Sequence, residues 1–94
     1  MKELQELRQE LDLMDRQLVT LLEDRMEIAR QVAEWKLRHD MPVLDASREE
    51  AVLDSRAAML RDPALAEDTR RIFREIMAMS RGVQERYIRE GKAQ

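Results

Sequence analysis

Residues 3–40 read ELQELRQELDLMDRQLVTLLEDRMEIARQVAEWKLRHD and contain neither glycine nor proline. Apolar residues recur along this stretch in alternating steps of three and four, which indicates one continuous helical face, here called the seam. The seam consists of Leu4, Leu7, Leu11, Met14, Leu18, Leu21, Ile28, Val32 and Trp35. Its one interruption is Arg25, a permanently charged residue at a position where an apolar one would be expected. Because Pro42 disfavours a helical conformation at the residue before it, we expect a first helix over residues 3–38.

The length of this helix has a consequence for assembly. About 36 residues at about 1.5 Å rise per residue make a rod roughly 54 Å long. A compact chain of this size has a radius of gyration of roughly 12 Å. The remaining residues are too few to cover the seam from end to end. We therefore expect a second copy of the chain to cover the rest, in a homodimer with intertwined long helices.

The composition predicts one all-α domain over residues 1–94, with a core of aliphatic residues and methionine. Only 3% of the residues are aromatic, and no strand-like alternation occurs. Cysteine is absent and histidine occurs once, which argues against disulfides and a typical zinc site. We find no signal peptide and no apolar run of the roughly 18 residues that would span a membrane, so we expect a cytoplasmic protein. The net charge of −3 argues against nucleic acid as the main partner.

Two more helices are expected after the first. Either Asp45 or Ser47 can serve as N-cap of a second helix over residues 46–61, and Ser47 with Glu50 fits a capping box. Asp62 and Pro63 then form a helix start signal, with aspartate as the cap and proline at the first helical position. The third helix is expected over residues 63–90, with a possible separate turn at its start.

Each expected helix carries polar residues in or beside its apolar stripe. These are Arg25 and Lys36 on the first, Glu49 on the second, and Ser80 and Gln84 on the third. Apart from Arg25, each of these residues has an ordinary explanation when it is considered alone. The lysine could lie on a solvated flank, and the glutamate could form an ion pair on the surface. The serine and glutamine could form a hydrogen-bonded pair in the core. Together, such residues on facing helices would suit a small polyanion that also bears a hydroxyl. Since no nucleophile and base pair, metal cluster or glycine-rich loop accompanies them, we expect a site that holds a flexible anion in a reactive shape and stabilises charge developing on an oxygen.

Other arginines occupy more distant positions. Arg8 lies about 25 Å from Arg25 along the first helix, at about 1.5 Å per residue. If both serve one small ligand, Arg8 must come from the partner subunit. The alternative is a solvated flank whose stem packs on apolar neighbours. On the third helix, Arg70, Arg74 and Arg81 are expected on the side opposite the apolar stripe, as a solvated face.

The chain resembles the all-helical chorismate mutases, the AroQ class, over essentially its whole length. The resemblance rests on Leu7-Arg8, on residues 14–25 as an approximation of L-D-x-x-L-V-x-L-L-x-x-R, on Lys36, on Pro42-Val43-x-Asp45-x-x-Arg48-Glu49, and on Phe73 followed by Ser80-x-x-x-Gln84. It implies a three-helix protomer with a very long first helix, intertwined as a dimer with two equivalent sites. It also implies the Claisen rearrangement of chorismate to prephenate, at the branch towards phenylalanine and tyrosine, without cofactor or metal.

The resemblance also implies a role for each site residue. Arg25, together with Arg8 of the partner chain, would clamp the two substrate carboxylates, with Ser80 assisting. Lys36 and Gln84 would donate hydrogen bonds to the ether oxygen. This arrangement agrees with the physics of a pericyclic step, which needs a compact substrate conformer and stabilisation of a developing oxyanion. Because the amide of Gln84 donates at any pH, we expect no acid requirement.

The hydroxyl of the substrate would be held at the start of the second helix. By the same resemblance, Glu49 and the backbone at Asp45 would bind it, and Arg48 would line the pocket nearby. These residues favour a mutase over its nearest alternative, an isochorismate-pyruvate lyase on the same fold. A non-catalytic helical dimerisation module is the alternative from another class, but it would leave the polar residues in the apolar stripes unexplained. Because the sequence stops at Gln94, we expect a form without a fused catalytic or regulatory domain.

Overall fold

The computed structural model describes residues 1–93, and all regular elements in this part of the chain are helical. Helix α1 spans Leu4–Arg38, α2 spans Ala46–Ala58, a short 3-10 helix spans Pro63–Leu65, and α3 spans Ala66–Ala93. The prediction of an all-α protomer with a very long first helix is therefore confirmed. Gln94 lies outside the described residues.

Local chemistry explains where the helices end. Asp40, two residues after the end of α1 and two before Pro42, has a positive φ of 52°, which ends the helical path. Helix α2 ends at Ala58, three residues before the expected position, and its last turn tightens through a hydrogen bond from the Leu60 amide to the Ala57 carbonyl. Helix α3 continues to Ala93, beyond the expected end at residue 90. We attribute this to the lack of any proline after position 63, since a single glycine weakens a helix by only about 1 kcal/mol.

The N-cap of α2 is Asp45. Its carboxylate Oδ1 accepts a hydrogen bond from the Arg48 amide at 3.1 Å and from the Ser47 hydroxyl at 3.4 Å. Of the two candidate caps the structure therefore selects Asp45, and the hydroxyl of Ser47 supports that cap instead of serving as one.

Helix α3 is the central element, because it packs on both α1 and α2. Two small apolar clusters hold it in place. The cluster against α1 contains Met26, Ala29 and Val83, with Leu22 and Ile76 packed on it. The cluster against α2 contains Val52, Leu53 and Met77, with Phe73 packed on it. The space between α1, α2 and α3 is thus framed by helices fixed on both sides.

The first half of α1 extends beyond this core. Residues 1–21 are all exposed, and the seam residues Leu11 and Leu18 are 57% and 63% exposed. The molecule measures 56 × 28 × 14 Å and has a radius of gyration of 16.9 Å, against roughly 12 Å for a compact chain of this length. As the length of α1 predicts, one chain does not cover its own seam.

None of the helices in the described part of the chain is long and apolar enough to cross a membrane. The cytoplasmic location stays a prediction.

Candidate active site

A cavity of about 270 Å³ lies between the second half of α1, the loop after it, the start of α2 and the second half of α3. Its apolar lining comes from Ile28, Ala29, Val32, Val43, Val52 and Met77. Its polar lining comes from Arg25, Lys36, Asp45, Arg48, Glu49, Ser80, Arg81 and Gln84. Every site residue predicted from the sequence therefore lines one cavity, with the exception of Arg8.

Lys36 connects three parts of this cavity. It stands in the last turn of α1, where its Nζ donates to the Val43 carbonyl at 2.6 Å and to Gln84 Oε1 at 3.3 Å. An ammonium group carries three N–H donors. One donor thus has no partner among residues 1–93, so it is available to an acceptor on a ligand.

Gln84 and Ser80 lie one helical turn apart on α3. Gln84 is only 6% exposed, and its Nε2 donates to Ser80 Oγ at 3.2 Å. The amide oxygen accepts from Lys36, so the amide is held at both ends, while a second N–H on Nε2 has no partner in the described chain. Ser80 and Gln84 thus form a hydrogen-bonded pair, as expected for polar residues in a core, and both also line the cavity.

Arg25 is the half-buried cation on the α1 side. Burial lowers the pKa of its guanidinium, and the nearby positive charges of Arg56 and Arg48 lower it further. Arginine still remains charged at neutral pH. No carboxylate in the described residues forms an ion pair with Arg25, Lys36 or Arg48, although such pairs occur outside the cavity. A cavity in which three of the four lining cations lack a carboxylate partner favours an anionic ligand.

The carboxylates of the cavity have separate partners. Asp45 is engaged in capping α2, which fixes the backbone at the entrance to that helix. Glu49, in the first turn of α2, forms an ion pair with Arg81 of α3, with 2.5 Å between Oε1 and Nη1.

The position of Arg81 corrects the sequence-based expectation. We expected it on a solvated face opposite the apolar stripe, but its side chain is 32% exposed and lines the cavity. The signal was present in the sequence: Arg81 follows the buried Met77 by four residues and precedes Gln84 by three, so all three share one helical face. The same expectation is wrong for Arg70, which is 26% exposed and pairs with Asp54 of α2.

Arg8 lies outside the cavity. It is exposed, on the part of α1 that packs against nothing in the described chain. Arg25 lies seventeen positions further along the chain, which is about 25 Å along the helix. Its contribution from a partner subunit stays a prediction.

The fold and the cavity together define a class: an all-helical protein with a cavity between its helices that several cations line. The family chorismate mutase type II matches residues 7–85, and the chain belongs to that family. The resemblance noted from the sequence is thereby confirmed.

Two relatives carry the name T-protein. The chain is 34% identical to the T-protein of Haemophilus influenzae over 83 residues. The aligned region covers 83% of this chain and 22% of that protein. The chain is 38% identical to the T-protein of Enterobacter agglomerans over 78 residues. This aligned region covers 78% of the chain and 21% of that protein. The chain spans about a fifth of the length of these curated relatives.

Proposed function

We propose that this chain is a chorismate mutase, which rearranges chorismate to prephenate in the route to phenylalanine and tyrosine. The observation that carries the proposal is the contact between Lys36 and Gln84, 3.3 Å apart, in a cavity where Lys36, Arg25 and Arg48 have no carboxylate partner among the described residues. The cavity volume of about 270 Å³ is close to the lower end, about 300 Å³, of pockets that bind small molecules.

The reaction requires little chemistry from the protein. One carbon–oxygen bond breaks while one carbon–carbon bond forms, in a single cyclic movement of electrons without proton transfer. Electron density grows on the ether oxygen as its bond to carbon breaks. Lys36 Nζ and Gln84 Nε2 each retain an N–H without a partner in the described chain, and two such donors at this oxygen stabilise the transition state more than the ground state.

The remaining residues would hold the substrate in its compact conformer. Arg25 binds one carboxylate, with Ser80 beside it, and the second carboxylate is met by Arg8 of the partner chain. At the other end of the cavity, Glu49 and the backbone at Asp45 take the ring hydroxyl. Fixing a flexible substrate in this way contributes to the rate because it removes conformational freedom before the barrier is crossed.

The homodimer is part of the same proposal. The chain exposes 7731 Å². A compact monomer of 11.2 kDa would expose about 5,700 Å². The excess of about 2,000 Å² per chain, or about 4,000 Å² for two, lies within the range of roughly 2,000–5,000 Å² that obligate dimers bury. We assign this excess mainly to the seam on the first half of α1.

The test is to follow the loss of chorismate absorbance on adding the purified protein and to resolve the products by chromatography. The wild type should make prephenate, and Lys36→Ala should lower kcat by about 10²- to 10³-fold, the usual effect of losing one oxyanion donor. Arg38→Ala is the matched control, because Arg38 lies in the same last turn of α1, is exposed and pairs with Glu34 outside the cavity.

Two outcomes would overturn the proposal. If chorismate survives while isochorismate yields pyruvate, the protein is a lyase on the same fold. If neither substrate reacts, the cavity is not catalytic and the dimerisation module becomes the leading interpretation.

A further inference from the structure

An ion pair between Arg81 and Glu49 connects α3 to α2 in the wall of the cavity. The Arg81 Nη1 lies 2.5 Å from Glu49 Oε1, and the two side chains are 32% and 25% exposed. Both residues line the cavity. The pair is therefore located where a bound ligand would touch it, unlike the ion pairs on the outer faces of the helices.

The charges of the cavity show what this pair does. Among the described residues, Arg81 is the one cavity-lining cation that has a carboxylate partner. Glu49 is the one cavity carboxylate whose oxygens are not engaged in capping a helix. Without Arg81, Glu49 would be free to turn towards Arg48 or Arg25 and neutralise a cation that an anionic ligand needs.

The geometry of the pair also leaves one acceptor free. Glu49 Oε1 is engaged by Arg81, whereas Oε2 accepts no hydrogen bond from any residue in the described range. A carboxylate held by one oxygen has a fixed orientation, and its second oxygen can accept from a hydroxyl donor on a ligand.

We propose that Arg81 is a positioning residue that sets the preference of this site for a ligand bearing a hydroxyl. It holds Glu49 by one oxygen, so that the other oxygen accepts the hydrogen bond of the ligand hydroxyl and the carboxylate stays away from the cations that bind the ligand carboxylates. This inference rests on the proposed function, in which the ligand hydroxyl is that of chorismate.

The test compares two probes by isothermal titration calorimetry. One is a bicyclic ether dicarboxylate shaped like the transition state of the rearrangement, with the ring hydroxyl; the other has hydrogen in place of that hydroxyl. The wild type should prefer the hydroxylated probe by about 10- to 100-fold, as expected for one hydrogen bond to a charged acceptor. Arg81→Gln should reduce this preference to about threefold or less. Arg81→Lys, which keeps the charge, should restore at least half of the lost preference on a logarithmic scale.

The matched control is Arg70→Gln. Arg70 lies on the same helix, is similarly buried and pairs with Asp54 of α2 at 2.9 Å, but it does not line the cavity. This variant should lose stability through the same kind of interhelical pair, yet it should keep the wild-type preference. A general loosening of α2 against α3 would change both variants alike.

A double-mutant cycle shows whether Arg81 acts through Glu49. Glu49→Gln leaves only an uncharged acceptor and should reduce the preference to about threefold or less. Adding Arg81→Gln to it should change little further, since residues in one network are not additive. Glu49→Gln also keeps the inference testable if Arg81→Gln does not fold.

The outcomes separate this inference from the proposed function. Failure of the wild type to bind either probe would overturn both. If the wild type binds both probes but does not distinguish them, or if Arg81→Gln weakens both equally, the inference alone is wrong. It is also wrong if Glu49→Gln keeps the preference for the hydroxylated probe.

Discussion

Mixing two impaired variants should restore about a quarter of the wild-type activity if Arg8 serves the cavity of the partner subunit. The two variants are Arg8→Ala and Lys36→Ala. Arg8 lies about 25 Å from Arg25 along α1, at about 1.5 Å per residue, and no arginine side chain spans that distance. Within one chain the two arginines therefore cannot hold the same small substrate, so the prediction requires that each Arg8 of a twofold dimer enters the other subunit's cavity.

The expected magnitude follows from counting sites. Losing a charged hydrogen bond of about 1.5–3 kcal/mol should make Arg8→Ala about 10- to 150-fold less active, and Lys36→Ala should lose about 10²- to 10³-fold. Random reassociation of equal amounts makes half of the dimers mixed. Each mixed dimer has one site with both residues intact and one site with neither, so a quarter of all sites should work.

The assay is chorismate consumption after the two variants are unfolded together in urea and refolded. Variants refolded separately and mixed just before the measurement provide the control. Different affinity tags on the two variants verify that mixed dimers have formed. If mixed dimers are present and the activity remains at the mean of the two variants, Arg8 does not act across the interface. A wild-type rate for Arg8→Ala would contradict its role in either subunit.

Two further predictions concern pH. The kcat/KM of the wild type should stay level from pH 5 to 8, whereas that of Gln84→Glu should fall as the pH rises, because only a protonated carboxyl can donate to the ether oxygen; a pH–rate profile of both proteins checks this. The hydrogen bond from the Tyr87 hydroxyl, assisted by Arg38, lowers the pKa of Glu34. The interaction of the Glu34 carboxylate with these partners therefore stabilises the fold above the ordinary pKa of 4.5, and this stabilisation is lost as the pH falls through the lowered pKa. The difference in Tm between wild type and Tyr87→Phe should therefore be larger at pH 7 than at pH 3 by differential scanning calorimetry, and an equal difference at both would contradict this assignment.

Most of the fold could be predicted because the signals are local. The seam and Pro42 were enough to place α1 within one residue at its start and to give its end. The end of α2 was less accessible, since Met59 and Leu60 continue an apolar pattern past the last helical residue, Ala58. A pattern of this kind does not distinguish a helical turn from the turn that follows it.

The candidate site was partly predictable for a different reason. A charged residue such as Arg25 in an apolar seam can be recognised from the sequence, since it interrupts the apolar pattern. It indicates a site, because a buried charge requires a ligand or partner. The acceptor of Lys36, the Val43 carbonyl, is a backbone group, and every residue has one, so no residue type marks it. Arg81 could have been found from its spacing to Met77 and Gln84, which places the three residues on one helical face.

The position of Arg25 in the seam divides α1 into two parts with different roles. The seam residues before it lie outside the core and are uncovered, whereas Arg25, Ile28 and Val32 line the cavity. Suppose that two α1 helices pair antiparallel over the whole seam, so that residue 4 of one chain lies opposite residue 35 of the other. The numbers of any two opposed residues then add up to 39. Arg8 would then face residue 31 of the other chain, between Arg25 and Lys36 in sequence. The uncovered half of the seam would thus cover the other subunit's cavity and carry Arg8 to it, so dimerisation and completion of the site would be one event.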